Sequence, residues 1–300
     1  VVGEKEIPQV KGMVALLLDV GQHIVVAERF AHLLAFGQKP SVVHPIAHKG
    51  FPRGGFRLGD LILVVGENQV LAPCVDIDRE CCEVIGDRAL HPQPEAVAAL
   101  SLAYMQGMRQ AGMAAVAKHF PGHGGVTGDS HLVLPEDHRS YSDLLGDMRP
   151  YTTLIDDGLE GAMMAHIRYT EVDPQIASLS PYWMQTILRG QLGFGGAIFS
   201  DDLSMKGASV GGSVADRAIL ALDAGADMVL VCNDRDSVPE VVAALNDRLD
   251  PVAHARLAAM RANPERYAAD PYDGERWHTD LAVLQAALAT PPPFELDGNS

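Results

Sequence analysis

The chain has 300 residues, of which 47 % are hydrophobic, and its formal net charge is −16. This length and apolar share suffice for one large domain, or two small ones, with a substantial core. The excess of acidic residues argues against a basic surface that binds nucleic acid or anionic lipid. The sequence has no uninterrupted run of about 18 apolar residues, so we expect no membrane span.

The first residues lack the basic start, the apolar run and the small-residue cleavage site of a secretory signal, so we expect a cytoplasmic protein. The cysteines agree with a reducing location, because they are few for a chain of this size and form no C-x-x-C pair. They are Cys74, Cys81, Cys82 and Cys232. We therefore predict free structural thiols.

The first seventy residues show little regular pattern. Two short apolar runs, 13–18 and 61–65, have the length of buried strands. The stretch 39–59 between them is rich in Gly, Pro, His and Arg, which favours a loop. We predict that 1–70 is an atypical N-terminal segment that supplies the first strands, and that 20–59 is irregular or poorly ordered.

From residue 71 onward, short apolar runs alternate with longer helical patterns. Strands are predicted at 71–76, 114–118, 161–166, 197–201 and 227–232. Helices are predicted at 94–109, 140–156, 181–192, 213–224, 237–249, 251–262 and 275–289. Ser140 and Asp143 have the spacing of a capping box, and Gly193 and Gly225 mark helix ends. This alternation indicates βα units around a parallel sheet.

The position of polar residues favours a (β/α)₈ barrel over the other α/β folds. Asp76, Lys118, His166, Asp201 and Asn233 all fall at or just after the carboxyl ends of predicted strands. All strand ends meet on one face of a (β/α)₈ TIM-type barrel, and its active sites lie there. The sequence has no G-x-G-x-x-G after a first strand, as a dinucleotide-binding fold would have. We predict a catalytic barrel over 71–290, incomplete or irregular at its N-terminus, and a disordered tail over 291–300.

The stretch 118–131 concentrates titratable groups in a glycine-rich loop after a predicted strand. It begins Lys-His-Phe-Pro-Gly-His-Gly and ends Asp-Ser-His. Its pattern resembles the signature of the bacterial β-N-acetylglucosaminidases of glycoside hydrolase family three. Residues 199–205, Phe-Ser-Asp-Asp-Leu-Ser-Met, are similar to that family's nucleophile segment. The similarity runs from about residue 71 to about residue 250 and does not cover the first seventy residues.

The resemblance implies an exo-acting retaining enzyme that removes terminal N-acetylglucosamine from muropeptides in peptidoglycan recycling. It implies no cofactor and no metal, a small-molecule sugar as the partner, neither nucleic acid nor membrane, and a monomer. The family's Asp-Gln-Glu-Gly-Gly-Arg segment, which grips the sugar, has no counterpart here. We therefore expect that part of the sugar-binding site is missing and that kcat/KM is lowered.

The resemblance also assigns roles to individual residues. Asp201 would be the nucleophile, and because side chains alternate along a strand, Asp202 should point the other way and bond the loop. His131 would transfer the proton to and from the glycosidic oxygen, oriented by Asp129. Arg88, Lys118 and His119 would hold sugar hydroxyls. His166, at the end of a predicted strand, is expected to line the pocket or to pack in the core.

Two alternatives use the same residues differently. His119, His123, His131 and Asp129 could hold zinc in a metal-dependent hydrolase, although Pro121 and the glycines disfavour the helix on which a His-x₃-His pair would act. The unusual N-terminal segment favours the other alternative, a catalytically impaired sugar-binding homologue.

Overall fold

The computed structural model describes residues 69–110, 113–246 and 248–261, together with strand residues 16–17 and 24–26. The strands are β1 (Leu16–Leu17), β2 (Ile24–Val26), β3 (Gln69–Val70), β4 (Ala114–Phe120), β5 (Glu136–Asp137), β6 (Gly161–Met164), β7 (Arg168–Tyr169), β8 (Ala197–Asp202) and β9 (Met228–Leu230). The α-helices are α1 (Pro94–Gln110), α2 (Tyr141–Asp156), α3 (Val214–Ala224), α4 (Val238–Leu245) and α5 (Pro251–Ala259).

Three shorter helical turns and one π-helix complete the elements. The 3₁₀ turns are Gly86–Arg88, Ala177–Leu179 and Lys206–Gly211, and the π-helix is Tyr182–Gln191. In the parts that the structure describes, no helix is long and apolar enough to cross a membrane. The predicted strand 61–65, helix 275–289 and tail 291–300 lie outside the described residues, as does most of 20–59. The division of the chain at residue 70 stays a prediction.

Seven strands form one sheet in the order β1-β2-β9-β8-β6-β4-β3. All neighbouring pairs are parallel except β1 with β2, which is antiparallel. Within the described residues the two outer strands, β1 and β3, do not pair, so the described strands form an open sheet. The helices between the strands are those of βα units. This is the arrangement of βα units around a parallel sheet that the sequence predicts; the irregularity expected for 20–59 falls mostly outside the described residues.

The strand predicted at 71–76 is irregular. Only β3 and an isolated bridge at Cys74 are regular there, yet backbone bonds continue along β4. The Val116 amide donates to the Ala72 carbonyl (2.8 Å), and the Lys118 amide donates to the Pro73 carbonyl (3.1 Å). Pro73 has no N–H, so the segment cannot form an unbroken ladder. It nevertheless lies against β4 and carries Asp76 to the strand ends.

Two of the helices begin as the sequence predicts. The Ser140 hydroxyl accepts from the Asp143 amide and the Asp143 carboxylate accepts from the Ser140 amide, which is a capping box at α2. Ser213 and Asp216 form a second one at α3, and Gly225 ends that helix. The prediction of a helix at 181–192 was right in position, but its hydrogen bonding is that of a π-helix.

The two faces of the sheet carry separate apolar clusters. The larger one lies between the sheet and the helices and includes Ala115, Ala117, Ala162 and Ile198. The smaller one covers the other face and consists of Ala114, Val116, Met163, Ala197, Phe199, Met228, Leu230 and Met260. Because side chains alternate along a strand, Lys118 and Asp201 continue this second face at the strand ends. The sheet thus brings both polar side chains to one side.

Candidate active site

Asp76 is the centre of a buried hydrogen-bond cluster at the strand ends. Its carboxylate accepts from the His123 amide (2.6 Å), from the His119 amide (3.2 and 3.3 Å) and from the His119 ring Nδ1 (2.7 Å). Burial acts to raise the pKa of Asp76, but His119 and His123 outweigh it and hold that pKa well below its ordinary value. Asp76 is therefore an ionised acceptor that fixes the start of the glycine-rich loop.

His119 connects this cluster to Asp201. The His119 side chain is nearly buried, its Nδ1 is bound to Asp76, and its Nε2 lies 4.0 Å from Asp201 Oδ2. An ionised carboxylate accepts only, so the Nδ1 position carries the proton. The His119 Nε2 atom faces Asp201 and the strand ends.

The electrostatics around Asp201 keep it ionised. Burial acts to raise the pKa of Asp201, but His119 and His166 outweigh it and keep that pKa below its ordinary value. The charge of Lys118 acts in the same direction. Burial and the like charge of Arg88 lower the pKa of Lys118. Four predicted site residues therefore lie close together at the strand ends: Arg88, Lys118, His119 and Asp201.

Asp202 points away from Asp201, as the strand alternation requires. Its carboxylate accepts from the Ser204 amide (2.9 Å), the Cys232 amide (2.9 Å) and the Asn233 side-chain amide (2.7 Å). These bonds tie the end of β8 to the end of β9. The prediction that Asp202 bonds the loop is confirmed.

His131 and Asp129 form a pair on the exposed part of the loop. Asp129 Oδ1 accepts from both the backbone amide and the Nδ1 of His131, each at 2.8 Å. Burial acts slightly to raise the pKa of Asp129, but the hydrogen bonds from His131 lower it overall. The His131 side chain is 51 % exposed, so its Nε2 is accessible to a ligand. The geometry is that expected of a histidine whose tautomer is fixed by a carboxylate.

The base of this loop is buried and held from two sides. His123 Nε2 bonds the Ser130 hydroxyl (3.1 Å), and the Gly207 amide donates to the Ser130 carbonyl (2.8 Å). A side chain at Gly124 would place Cβ 1.9 Å from the Ile77 carbonyl oxygen, which explains one glycine of the motif. His123 Nδ1 lies 3.4 Å from Cys82 Sγ, and burial with the nearby His119 lowers the pKa of His123 to about 4.

This geometry disfavours the zinc-hydrolase alternative. Both ring nitrogens of His123 have partners inside the protein, and Nδ1 of His131 is bound to Asp129. Among the described residues, the ligand atoms of His119, His123 and His131 do not converge; the one group of three that does is Cys74, Asp76 and His119.

His166 is fully buried, and both of its ring nitrogens have protein partners. Nδ1 bonds the Ser178 hydroxyl (2.6 Å), and Nε2 donates to the Asp202 carbonyl (2.9 Å). Burial lowers the pKa of His166, although the charge of Asp201 opposes this shift. The contacts favour a role in fixing the end of β8; the predicted contact with substrate stays a prediction.

The sequence placed Asp76 at a strand end on the active-site face but gave it no specific role, and it assigned nothing to Ser130 or Asp147. Asp147, buried on α2, is paired with Arg79 and with Arg139 (2.6 Å) directly behind the glycine-rich loop. The available signal was weak: Asp76 was noted only for ending a strand, and a carboxylate on a helix is ordinarily exposed. Their roles depend on contacts between segments far apart in the chain.

A parallel α/β sheet whose strand ends hold an ionised carboxylate, a half-buried lysine and histidines paired with carboxylates is typical of a barrel-type hydrolase. The model of the Glycosyl hydrolase family 3 N terminal domain matches residues 35–261. The chain belongs to this family, which confirms the predicted family and the class of glycoside hydrolases. The match begins in the N-terminal segment, earlier than the sequence pattern indicated.

Related proteins support this membership. The chain is 45 % identical over 262 residues to a β-hexosaminidase of Thioalkalivibrio sulfidiphilus, covering 87 % of this chain and 75 % of that protein. It is 50 % identical over 208 residues to one of Methylococcus capsulatus, covering 69 % of this chain and 62 % of that protein. The chain thus spans between three fifths and three quarters of these relatives.

Solved structures show the same fold. NagZ from Neisseria gonorrhoeae in complex with N-trifluoroacetyl-D-glucosamine is 38 % identical with a TM-score of 0.65, over 74 % of this chain and 65 % of that one. The same protein has been solved in complex with a zinc ion, with a TM-score of 0.65, over 74 % and 64 % of the two chains. The barrel-type fold prediction is confirmed by these neighbours.

Proposed function

We propose that this chain is an exo-acting retaining β-N-acetylglucosaminidase that removes terminal N-acetylglucosamine from muropeptides. The observation that carries the proposal is the ionised Asp201 at the end of β8, facing His119 Nε2 at 4.0 Å. Support for the sugar comes from the β-hexosaminidase relatives and from the N-acylated glucosamine bound by the Neisseria protein.

In the first step Asp201 attacks the anomeric carbon. A bond forms between its carboxylate oxygen and that carbon, and the bond from the carbon to the glycosidic oxygen breaks. The leaving oxygen takes a proton from His131. Water then attacks the glycosyl–enzyme ester, giving its proton to His131 and releasing the sugar with its original configuration.

The hydrogen bonds of the site favour His131 over a carboxylic acid for this proton. Asp202, next to Asp201 in the chain, and Asp76, in the buried cluster, are acceptors in several internal hydrogen bonds. A carboxylate in that state has no proton to give. His131, held by Asp129 through Nδ1 and exposed on its other side, offers its Nε2, and an imidazole can serve as either proton donor or proton acceptor.

The sugar would be held by Arg88, Lys118 and His119, with His166 behind them. Lys118 and Arg88 are donors of charged hydrogen bonds, and His119 Nε2 is an acceptor for a hydroxyl. Charged donors in a half-buried pocket strengthen as charge develops in the transition state. We place the reaction in cytoplasmic peptidoglycan recycling, carried out by a monomer without a cofactor; this rests on the family resemblance.

The test is turnover of an activated aryl N-acetyl-β-D-glucosaminide, with and without prior dialysis against a chelator. We expect turnover that survives dialysis, an unchanged anomeric configuration of the first product, and less than about a hundredth of the wild-type kcat for Asp201→Asn. Retention of the fold is checked by circular dichroism. Activity lost on dialysis and restored by zinc would support the metal alternative. Sugar binding by a folded protein without turnover would support the impaired homologue.

A further inference from the structure

Three side chains with metal-binding atoms meet at the strand ends, and one of them, His119, is also a proposed sugar-binding residue. The ligand atoms of Cys74, Asp76 and His119 all lie within 4.8 Å of one another. The Cys74 thiol donates to Asp76 Oδ2 at 3.3 Å, and His119 Nδ1 donates to the same oxygen at 2.7 Å. Asp76 and His119 are buried, and Cys74 is half-buried. Two side-chain protons therefore converge on a single carboxylate oxygen, which also accepts from the His119 amide at 3.2 Å.

We propose that Cys74, Asp76 and His119 form an inhibitory site for a thiophilic divalent cation, of which Zn²⁺ is the best fit. Thiolate, imidazole and carboxylate are the ligands of zinc, with bonds of about 2.0–2.3 Å. An ion at this position replaces the thiol proton and the Nδ1 proton that now point at Asp76. Three protein ligands leave a fourth position for water.

The proton balance of binding is simple. The thiol proton is released to solvent as the sulfur bonds the ion, and a neutral imidazole keeps its single proton by moving it from Nδ1 to Nε2. One proton is thus released for each ion bound. The His123 amide continues to hold the other oxygen of Asp76 at 2.6 Å, so the carboxylate is already oriented as a ligand.

Occupancy would change what His119 presents to the sugar. With the ion on Nδ1, the ring holds its proton on Nε2, and that atom can then only donate. It would then face Asp201 at 4.0 Å as a donor, next to an added positive charge. The acceptor for a sugar hydroxyl is lost, and the nucleophile is partly neutralised. The inhibitory effect rests on the proposed function, whereas the binding site does not.

Metal binding is measured directly with Co²⁺ and Zn²⁺ on the purified full chain. We expect one equivalent of Co²⁺ with a thiolate-to-cobalt charge-transfer band, and displacement of Co²⁺ by Zn²⁺ with release of one proton. Cys74→Ala should abolish the band and weaken Zn²⁺ binding at least about a hundredfold, and Cys74→Ser provides a second variant. Cys81→Ala is the matched control: Cys81 is also half-buried, and its thiol bonds the Gly124 carbonyl instead.

Inhibition is measured relative to the metal-free activity of each variant. We expect the Zn²⁺ concentration for half inhibition to rise at least about tenfold in Cys74→Ala and to stay unchanged in Cys81→Ala.

Binding that is insensitive to Cys74 but abolished by His131→Ala would overturn the proposal and place the ion at Asp129 and His131. Binding through Cys74 without inhibition would overturn the inhibitory role. A cobalt band in a protein without glycosidase activity would keep the site and reject the proposed function.

Discussion

The Gly207 amide donates a 2.8 Å hydrogen bond to the carbonyl of Ser130, the residue next to His131. Gly207 lies in the turn that follows β8, whereas Ser130 belongs to the loop that follows β4. This bond therefore joins the loop of the proposed proton donor to the segment that carries the nucleophile. Ser130 is buried, and its hydroxyl is bonded to His123 as well. The loop is anchored here, while His131 itself is exposed.

We predict that Gly207→Ala lowers kcat by roughly ten- to hundredfold, because small displacements of a catalytic group have effects of that size. A Cβ at this position would lie 2.9 Å from the Ser130 carbonyl oxygen and 3.1 Å from His166 Cβ, so one of the two must move. Gly195→Ala is the control, since no atom lies within 4 Å of its Cβ. Equal kcat values for the two variants would contradict the role of this contact.

Replacing Asp201 by alanine should abolish activity, whereas replacing Asp202 by alanine should lower stability. Removing the Asp202 carboxylate leaves the amides of Ser204 and Cys232 without their acceptor, and we expect a loss of about 2–4 kcal/mol in the free energy of unfolding. Asp201→Ala should abolish turnover with a much smaller effect on unfolding. Denaturant titration and kcat are measured on both. A stable Asp202→Ala protein would show that these bonds contribute little.

His131→Ala should slow substrates with poor leaving groups far more than activated aryl glycosides, because an activated leaving group needs little help from an acid. Asp129→Ala should have the same effect in weaker form, since it removes the partner of Nδ1. His138→Ala serves as control, because His138 is an exposed histidine bonded to Thr170. Equal losses of kcat on both substrate classes would show that His131 only maintains the structure of the loop.

Much of this site could be predicted from local sequence. The alternation of a strand separates Asp201 from Asp202, and an Asp two residues before a His accepts its ring proton across a turn. Both features depend only on neighbours along the chain. The capping boxes at Ser140 and Ser213 have the same local origin.

Other features could not be predicted, because they depend on contacts between distant segments. Asp76 and His119 are 43 residues apart, and nothing in either segment indicates that they pair. The burial of Asp147 behind the loop depends on how α2 packs against the sheet. The π-helix Tyr182–Gln191 has an ordinary helical sequence, and its hydrogen-bond pattern is set by its surroundings.

The capping box at α3 should make stability depend on acid pH. The Ser213 hydroxyl and amide donate to the Asp216 carboxylate and lower its pKa below the ordinary value of about 3.9. A lowered pKa in the folded state means that the ionised group stabilises the fold above the ordinary pKa, and that this contribution is lost as pH falls toward the folded-state pKa. We expect Asp216→Ala to lower Tm by a constant amount between about pH 5 and pH 7. The difference in Tm between this variant and the wild type should then become smaller below about pH 4. A Tm difference that does not change with pH would show that the ionised carboxylate is not the source of the stabilisation.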